Sequence, residues 1–192
     1  MRDRFGGHKL YRNDGKSFTD VSAKAGIFGS EIGFGLGLGV SDVNRDGWPD
    51  IYVSNDFFER DYLYLNNHDG TFKEVLESAM PVVSYFSMGM DIADVNNDGW
   101  PDVYTTDMMP QDEARIKTTA MYEGWDIYQT KVANGYHHQL MRNMLQRNNG
   151  DGTFSDVGYL TRTAETDWSW SALLADLDLD GRKDIYVTNG LA

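Results

Sequence analysis

An acidic nine-residue loop occurs three times, as Asp42-Val-Asn-Arg-Asp-Gly-Trp-Pro-Asp50, Asp94-Val-Asn-Asn-Asp-Gly-Trp-Pro-Asp102 and Asp176-Leu-Asp-Leu-Asp-Gly-Arg-Lys-Asp184. Each copy sets side-chain oxygens at positions 1, 3, 5 and 9 around a glycine at position 6. Calcium takes about six to eight oxygen ligands in flexible geometry, whereas magnesium holds a strict octahedron and keeps several waters. The spacing therefore predicts three calcium sites. The first is Asp42, Asn44, Asp46 and Asp50 with the Trp48 carbonyl, and the second is Asp94, Asn96, Asp98 and Asp102 with the Trp100 carbonyl. The third is Asp176, Asp178, Asp180 and Asp184 with the Arg182 carbonyl. A single copy would read equally well as a solvated Asp-Gly turn. Three copies that keep all four side-chain positions favour the metal, in a structural rather than a catalytic role.

An EF-hand loop shares the initial spacing but needs a bidentate Glu at position 12 and flanking helices. Position 12 here is Val53, Thr105 or Val187, each inside a short β-branched and aromatic run with strand character. The segments entering the loops alternate with period two: Phe34, Leu36, Leu38, Val40; Phe86, Met88, Met90, Ile92; Trp168, Trp170, Ala172, Leu174. The opposite face of the first is Gly35, Gly37, Gly39 and Ser41. Glycines at alternate strand positions imply close approach of a neighbour, so bulky faces are expected to pack onto small ones.

A second repeated motif places an Asn/Asp/Gly turn between apolar runs, at Leu10–Val21, Leu63–Val75 and Leu145–Val157. The acidic loops recur after 52 and then 82 residues, so the second interval holds about 30 extra residues. Four short strands at a period near 50 read as one propeller blade. The expected architecture is thus an all-β propeller of four-stranded antiparallel blades, with about three blades' worth present and a partly helical insertion. Blade hairpins are assigned to 8–22, 33–76, 86–107 with 142–158, and 168–190, and the insertion to 108–141. Propellers close with about four to eight blades, which reads this chain as part of a longer one.

The stretch Phe34-Gly-Leu-Gly-Leu-Gly-Val-Ser-Asp-Val-Asn-Arg-Asp-Gly47 resembles the FG-GAP/VCBS repeat proteins, whose blades are similar to those of the integrin alpha propeller. The alternation of Leu-Tyr-Arg-Asn-Asp-Gly and Asn-Asn-Gly-Asp-Gly-Thr-Phe runs with Asp-rich loops also resembles the bacterial relatives of cartilage acidic protein. The resemblance implies a seven-bladed, extracytoplasmic propeller with calcium in its blade hairpins and a role in adhesion or ligand binding. Integrin-type loops often carry Asp at position 3. Asn44 and Asn96 depart from that pattern, removing a charge but keeping an oxygen donor.

The net charge of −13 argues against nucleic-acid binding, and no apolar run is long enough to span a membrane. The chain has no cysteine, hence no disulfide framework. Its start, Met-Arg-Asp-Arg-Phe, lacks the apolar core of a signal peptide. Weak calcium sites need the high calcium found outside the cytosol, which favours an extracellular, cell-surface or periplasmic location. No nucleophile elbow, phosphate loop or zinc motif occurs.

Within the insertion, Gln111–Tyr122 has helix-forming composition after Pro110, and Ile127–Ala133 adds a further turn or two. Tyr122, Trp125, Tyr128 and Tyr136 would form a contact surface for sugar or peptide; the simpler expectation is that they cover the adjacent blade. His137 and His138 are expected to pack or face solvent, Trp48 and Trp100 to plug the space between blades, and Trp168 and Trp170 to join the core. Asp56, Asp107 and Asn189 end second strands, where solvation is the default. The preferred function is a non-enzymatic, secreted or surface-held module that binds a protein or glycan partner. The alternative is a scaffold or accessory propeller of a glycan-degrading enzyme, which would show a carboxylate pair at the propeller mouth.

Overall fold

The computed structural model describes residues 6–119 and 123–190. Tyr122 of the expected aromatic surface lies outside them. The first hairpin is β1 (Tyr11–Asn13) and β2 (Phe18–Asp20). Next comes a four-stranded antiparallel sheet of β3 (Gly35–Ser41), β4 (Asp50–Asn55), β5 (Tyr62–Asn66) and β6 (Phe72–Glu74), in that spatial order. A helical turn, α1 (Leu76–Ala79), and a short strand, β7 (Val83–Ser84), lead to the second sheet. That sheet begins with β8 (Met90–Ala93) and β9 (Asp102–Thr105) and is then interrupted by β10 (Met108–Met109), α2 (Glu113–Thr119), α3 (Trp125–Ala133) and β11 (Gln139–Leu140). It resumes with β12 (Met144–Asn148) and β13 (Phe154–Asp156), giving the order β13-β12-β9-β8. A last helical turn, α4 (Gly158–Thr161), precedes the hairpin of β14 (Asp167–Ala175) and β15 (Asp184–Asn189), with β10 on its outer edge. This is an all-β architecture of four-stranded propeller blades. Among the described residues, no helix is long and apolar enough to cross a membrane.

Sheets stack as the alternating sequence demands. A Cβ on Gly39 would meet Met90 Cε at 2.6 Å and Ile92 Cδ1 at 2.8 Å, so the bulky face of β8 lies directly on the glycine face of β3. The next interface repeats the approach, with Gly89 against the backbone of Trp170 and Ser171. Apolar clusters fill the spaces between consecutive units. One joins Ile27, Val53 and Tyr64; a second joins Tyr52, Leu63, Val83 and Val103; a third joins Tyr104, Leu145 and Leu174. The core is therefore a set of layers between blades rather than one central mass.

Trp170 departs from expectation. The pairing of β14 with β15 shifts register between Ser169 and Ser171, as that of β3 with β4 does between Gly35 and Gly37. A bulge advances the inside-outside alternation by one residue. Leu174 stays buried, Trp168 is partly buried, and Trp170 is 50% exposed instead of joining the core.

Of the strand ends expected to be solvated, Asp56 and Asp107 are buried, whereas Asn189 is exposed. Asp107 accepts hydrogen bonds from the Tyr85 and Phe86 amides at 3.1 and 3.0 Å and from the Ser84 hydroxyl, which fixes the end of β9 to the segment linking the two sheets. Its own amide donates to Asn143 Oδ1 at 2.7 Å, and Asn143 Nδ2 donates to the Tyr104 hydroxyl. In the first sheet Asp61 takes the place of Asn143: it accepts from the Asn55 amide at 2.8 Å and the Tyr52 hydroxyl at 2.6 Å, and from Ser87 across the interface. Burial, with nearby Asp107 adding repulsion, pushes the Asp61 carboxyl up to about 7.

Two outcomes are expected from this packing. Gly39→Val puts methyls into Met90 and Ile92 and should destabilise the chain by about 1–3 kcal/mol in urea melts. Between its ordinary pKa of 3.8 and about 7, folded Asp61 holds a proton that the unfolded chain has released, so stability falls as pH rises through that window. Asp61→Asn should flatten the decline by on the order of 2 kcal/mol between about pH 5 and about pH 8, compared with wild type in calcium.

Candidate metal centres and the opposite face

All three acidic loops use one bonding scheme, set by short side chains whose oxygens reach backbone amides a few residues on. The position-1 carboxylate accepts from the amides of positions 5 and 6: Asp42 from Asp46 and Gly47 at 3.0 and 2.8 Å, Asp94 from Asp98 and Gly99 at 3.0 and 2.7 Å, and Asp176 from Asp180 and Gly181 at 3.0 and 2.9 Å. Asn44, Asn96 and Asp178, at position 3, accept from the position-5 amide. Asp46, Asp98 and Asp180, at position 5, accept from the amides of Trp48, Trp100 and Arg182. The turn needs left-handed backbone at positions 4 and 6, where φ is 58° and 89° in the first loop. Glycine meets that demand at position 6.

Position 9 does different work. Asp50 Oδ2 accepts from the Val43 amide at 3.0 Å, closing the loop, while Oδ1 accepts from the Asn66 amide at 2.9 Å on the third strand. Asp102 repeats this with Val95 at 3.0 Å and Asn148 at 2.8 Å. Asn66 and Asn148 also donate from Nδ2 to the Pro49 and Pro101 carbonyls. The two sequence motifs are thus halves of one unit. Asp50 and Asp102 are 1% and 0% exposed. Burial raises both carboxyls above the usual range, and the acids at positions 5 and 1 of their own loops raise them further. Asp184, with its Oδ2 on the Leu177 amide, is exposed.

The residues fit an oxygen-coordinated cation to different degrees. Asp176, Asp178 and Asp184 each bring a carboxylate oxygen within 4.8 Å of the others; Asp180 stands outside that group. In the first two loops position 3 is an amide whose Nδ2 donates to the position-5 carboxylate, at 2.8 Å in each. Asp46 also contacts His68 Nε2 at 2.9 Å, which holds its carboxyl below the usual range. Hard oxygen donors with crowded, mutually repelling carboxylates form the chemistry that a divalent cation neutralises.

The loops sit side by side at one end of the sheets. The Arg45 guanidinium lies 5.3 Å from the Trp100 ring, and Asn97 Nδ2 donates to the Gly181 carbonyl at 2.9 Å. Trp100, partly buried, meets the neighbouring loop through Arg45, in keeping with an interblade role. Trp48 does not: it is half-exposed and stacks on His68 of its own sheet at 5.1 Å.

The opposite end carries the insertion, which replaces the short β4–β5 connection of the first sheet. Strand β11 pairs in parallel with β7, seating the returning chain against the segment between the sheets. Helix α3 buries none of its residues. Lys131 fixes it instead, with Nζ 2.8 Å from Glu123 and 4.0 Å from the Tyr85 ring centre, as does Tyr128, whose hydroxyl meets His138 Nδ1 at 2.7 Å. His137 Nε2 lies 2.9 Å from the Met80 carbonyl, so both histidines have packing partners. The aromatics do not simply cover the blade, for Trp125 is 69% exposed.

Position 9 and position 5 should separate on mutation. Asp102→Ala strands the buried Asn148 amide and the partly buried Val95 amide and is expected to cost about 2–5 kcal/mol with or without metal. Asp98→Ala should leave metal-free stability within about 1 kcal/mol and reduce only the increment that added calcium gives in thermal melts.

The same repeat logic appears in known proteins. Human integrin alpha-7 is 38% identical over 82 residues, covering 37% of this chain and 7% of that protein. Mouse integrin alpha-3 is 29% identical over 101 residues, covering 46% and 10%, and human integrin alpha-6 is 32% identical over 81 residues, covering 36% and 7%. The chain thus spans a tenth or less of the length of these curated relatives. The FG-GAP-like repeat profile matches residues 42–105 and 132–187, which includes all three acidic loops and both four-stranded sheets in large part, and the chain accordingly belongs to the FG-GAP-like repeat family.

Proposed function

We propose that this chain is a calcium-stabilised propeller module that binds a ligand outside the cytosol, without catalysis of its own. The observation that carries the reading is the common bonding scheme of the three loops, which repeats an oxygen-donor cradle in blade after blade. Calcium would be held by Asp42, Asn44, Asp46 and Asp50, by their counterparts from Asp94 to Asp102, and by those from Asp176 to Asp184, with carbonyls of Trp48, Trp100 and Arg182. Its role would be to neutralise clustered acids and rigidify the hairpins. Three divalent ions would bring the formal charge from −13 to −7.

Adhesion or ligand binding, extracellular or periplasmic, follows from the likeness to integrin alpha chains and from the calcium that such sites need. The two ends of the sheets divide the labour. Metal loops stiffen one, and the insertion offers exposed aromatic side chains at the other. A protein or glycan partner meets that second end, since binding residues concentrate on connections held by a rigid scaffold.

Thermal melts in calcium, magnesium and chelator test the metal. Calcium at about 100 times its Kd should add about 2.7 kcal/mol for each site filled, with magnesium giving less. Equal midpoints in calcium and in chelator, with metal-free protein verified, would remove calcium from the proposal.

A further inference from the structure

A cleft of 360 Å³ opens between α3, the chain returning from the insertion, and the segment linking the two sheets. Its size falls within the range of about 300–1,000 Å³ typical of small-molecule sites. Trp125 and Tyr128, one helical turn apart, stack at 5.2 Å with planes 21° from parallel, and Tyr85 and Tyr159 contribute further ring surface. Gln139, which also lines the cleft, is 3% exposed, yet among the described residues nothing donates to its Oε1. Its Nε2 has only long contacts, 3.5 and 3.4 Å, to the carbonyls of Phe57 and Glu59. A buried amide oxygen left without a donor costs about 1–3 kcal/mol; Oε1 is shut off from solvent, so a ligand group that donates to it gains that energy back once the amide turns into the cleft.

The charges of the cleft select the ligand. Glu123 is neutralised by Lys131, and Arg142 by Asp156 at 2.5 Å with its guanidinium 4.7 Å from the Tyr159 ring centre. Both cations already occupy aromatic faces, and both carboxylates are already paired. Among the described residues that line the cleft, a cationic side chain would find no unpaired acid, and an anion no unpaired base. A neutral ring with apolar C–H faces and hydroxyl rims matches what is left: open indole surface on Trp125, an acceptor on Gln139, and the spare lone pairs and N–H groups of the two ion pairs at the edge.

We propose that this cleft is a binding site for a neutral saccharide, with one pyranose ring stacked on Trp125 and a hydroxyl donating to Gln139 Oε1 as that amide turns into the cleft. The proposal rests on the ligand-binding reading above and names the ligand class for its second face. The aromatic wall is pre-organised, because Tyr128 is held by His138 and α3 is pinned through Lys131 on Tyr85.

The test is calorimetric titration of the full chain in calcium with cello-, xylo-, manno-, malto- and chito-oligosaccharides, an oligogalacturonate and an arginine-rich peptide. Binding of at least one neutral oligosaccharide is expected, with a change in tryptophan fluorescence. Trp125→Ala, at an exposed position, should weaken that binding by about tenfold or more without moving the melting midpoint. Gln139→Met, which keeps the volume and removes the acceptor, should weaken it as well. Failure of every neutral oligosaccharide to bind, or binding untouched by Trp125→Ala, overturns the proposal. Trp125-dependent binding of the peptide or the oligogalacturonate alone also overturns it, while leaving the ligand-binding module standing. Release of shortened sugar from the bound oligosaccharide would instead overturn the non-enzymatic reading.

Discussion

The carboxylate at the ninth loop position joins everything else in this protein. In each complete sheet one oxygen closes the acidic loop on the amide of its second residue, and the other takes the amide of an asparagine on the third strand. Without that bridge one buried and one partly buried amide lose their partners, and the loop loses its fixed relation to the neighbouring hairpin. Because the bridge is intramolecular, the loop's shape is built by the chain before any ion is considered. What a cation would add is relief of repulsion among acids that the fold has already crowded together.

The blades are held to one another by a different device. Glycine on one face of β3 admits Met90 and Ile92 from the next sheet, and three apolar clusters fill the successive gaps. Each sheet is therefore stabilised by its neighbours more than by its own interior, as in other repeat architectures. Buried Asp61 and Asp107 stitch the same junction with hydrogen bonds to Ser87 and Ser84. Junctions of this kind leave the connections at the far end free to vary, and the connection between β9 and β12 is the long one in this chain.

The insertion binds its scaffold through polar anchors and a cation over an aromatic ring, not through an apolar helix face. Lys131 on Tyr85 and Tyr128 against His138 fix α3 while its indole stays in solvent. Exposed aromatic surface kept beside an unsatisfied buried amide is costly in a free protein. A ligand that stacks on the one and donates to the other offsets both costs together.

Much of this was readable from the chain. The 52-residue recurrence, the period-two strands and the failure of an EF-hand twelfth ligand fixed the blade architecture, and helical composition located α2 and α3 to within a few residues. These are local signals, set by backbone geometry and by which side chains tolerate turn conformations. Other features depend on residues distant in sequence. The partner of Asp50 is 16 residues away and that of Asp102 is 46, because the insertion intervenes. The motif around Asn66 and Asn148 was visible, but its bond to the acidic loop was not. The bulge that turns Trp170 outward, the burial of Asp107 and the buried, unpartnered acceptor on Gln139 likewise arise from how sheets meet. Sequence determined the repeat, its strands and its oxygen-rich loops, since periodicity and turn chemistry act over a few residues. Only the tertiary structure decided which carboxylates are buried clamps and which aromatics stay exposed, since burial is a property of the neighbours that folding brings together.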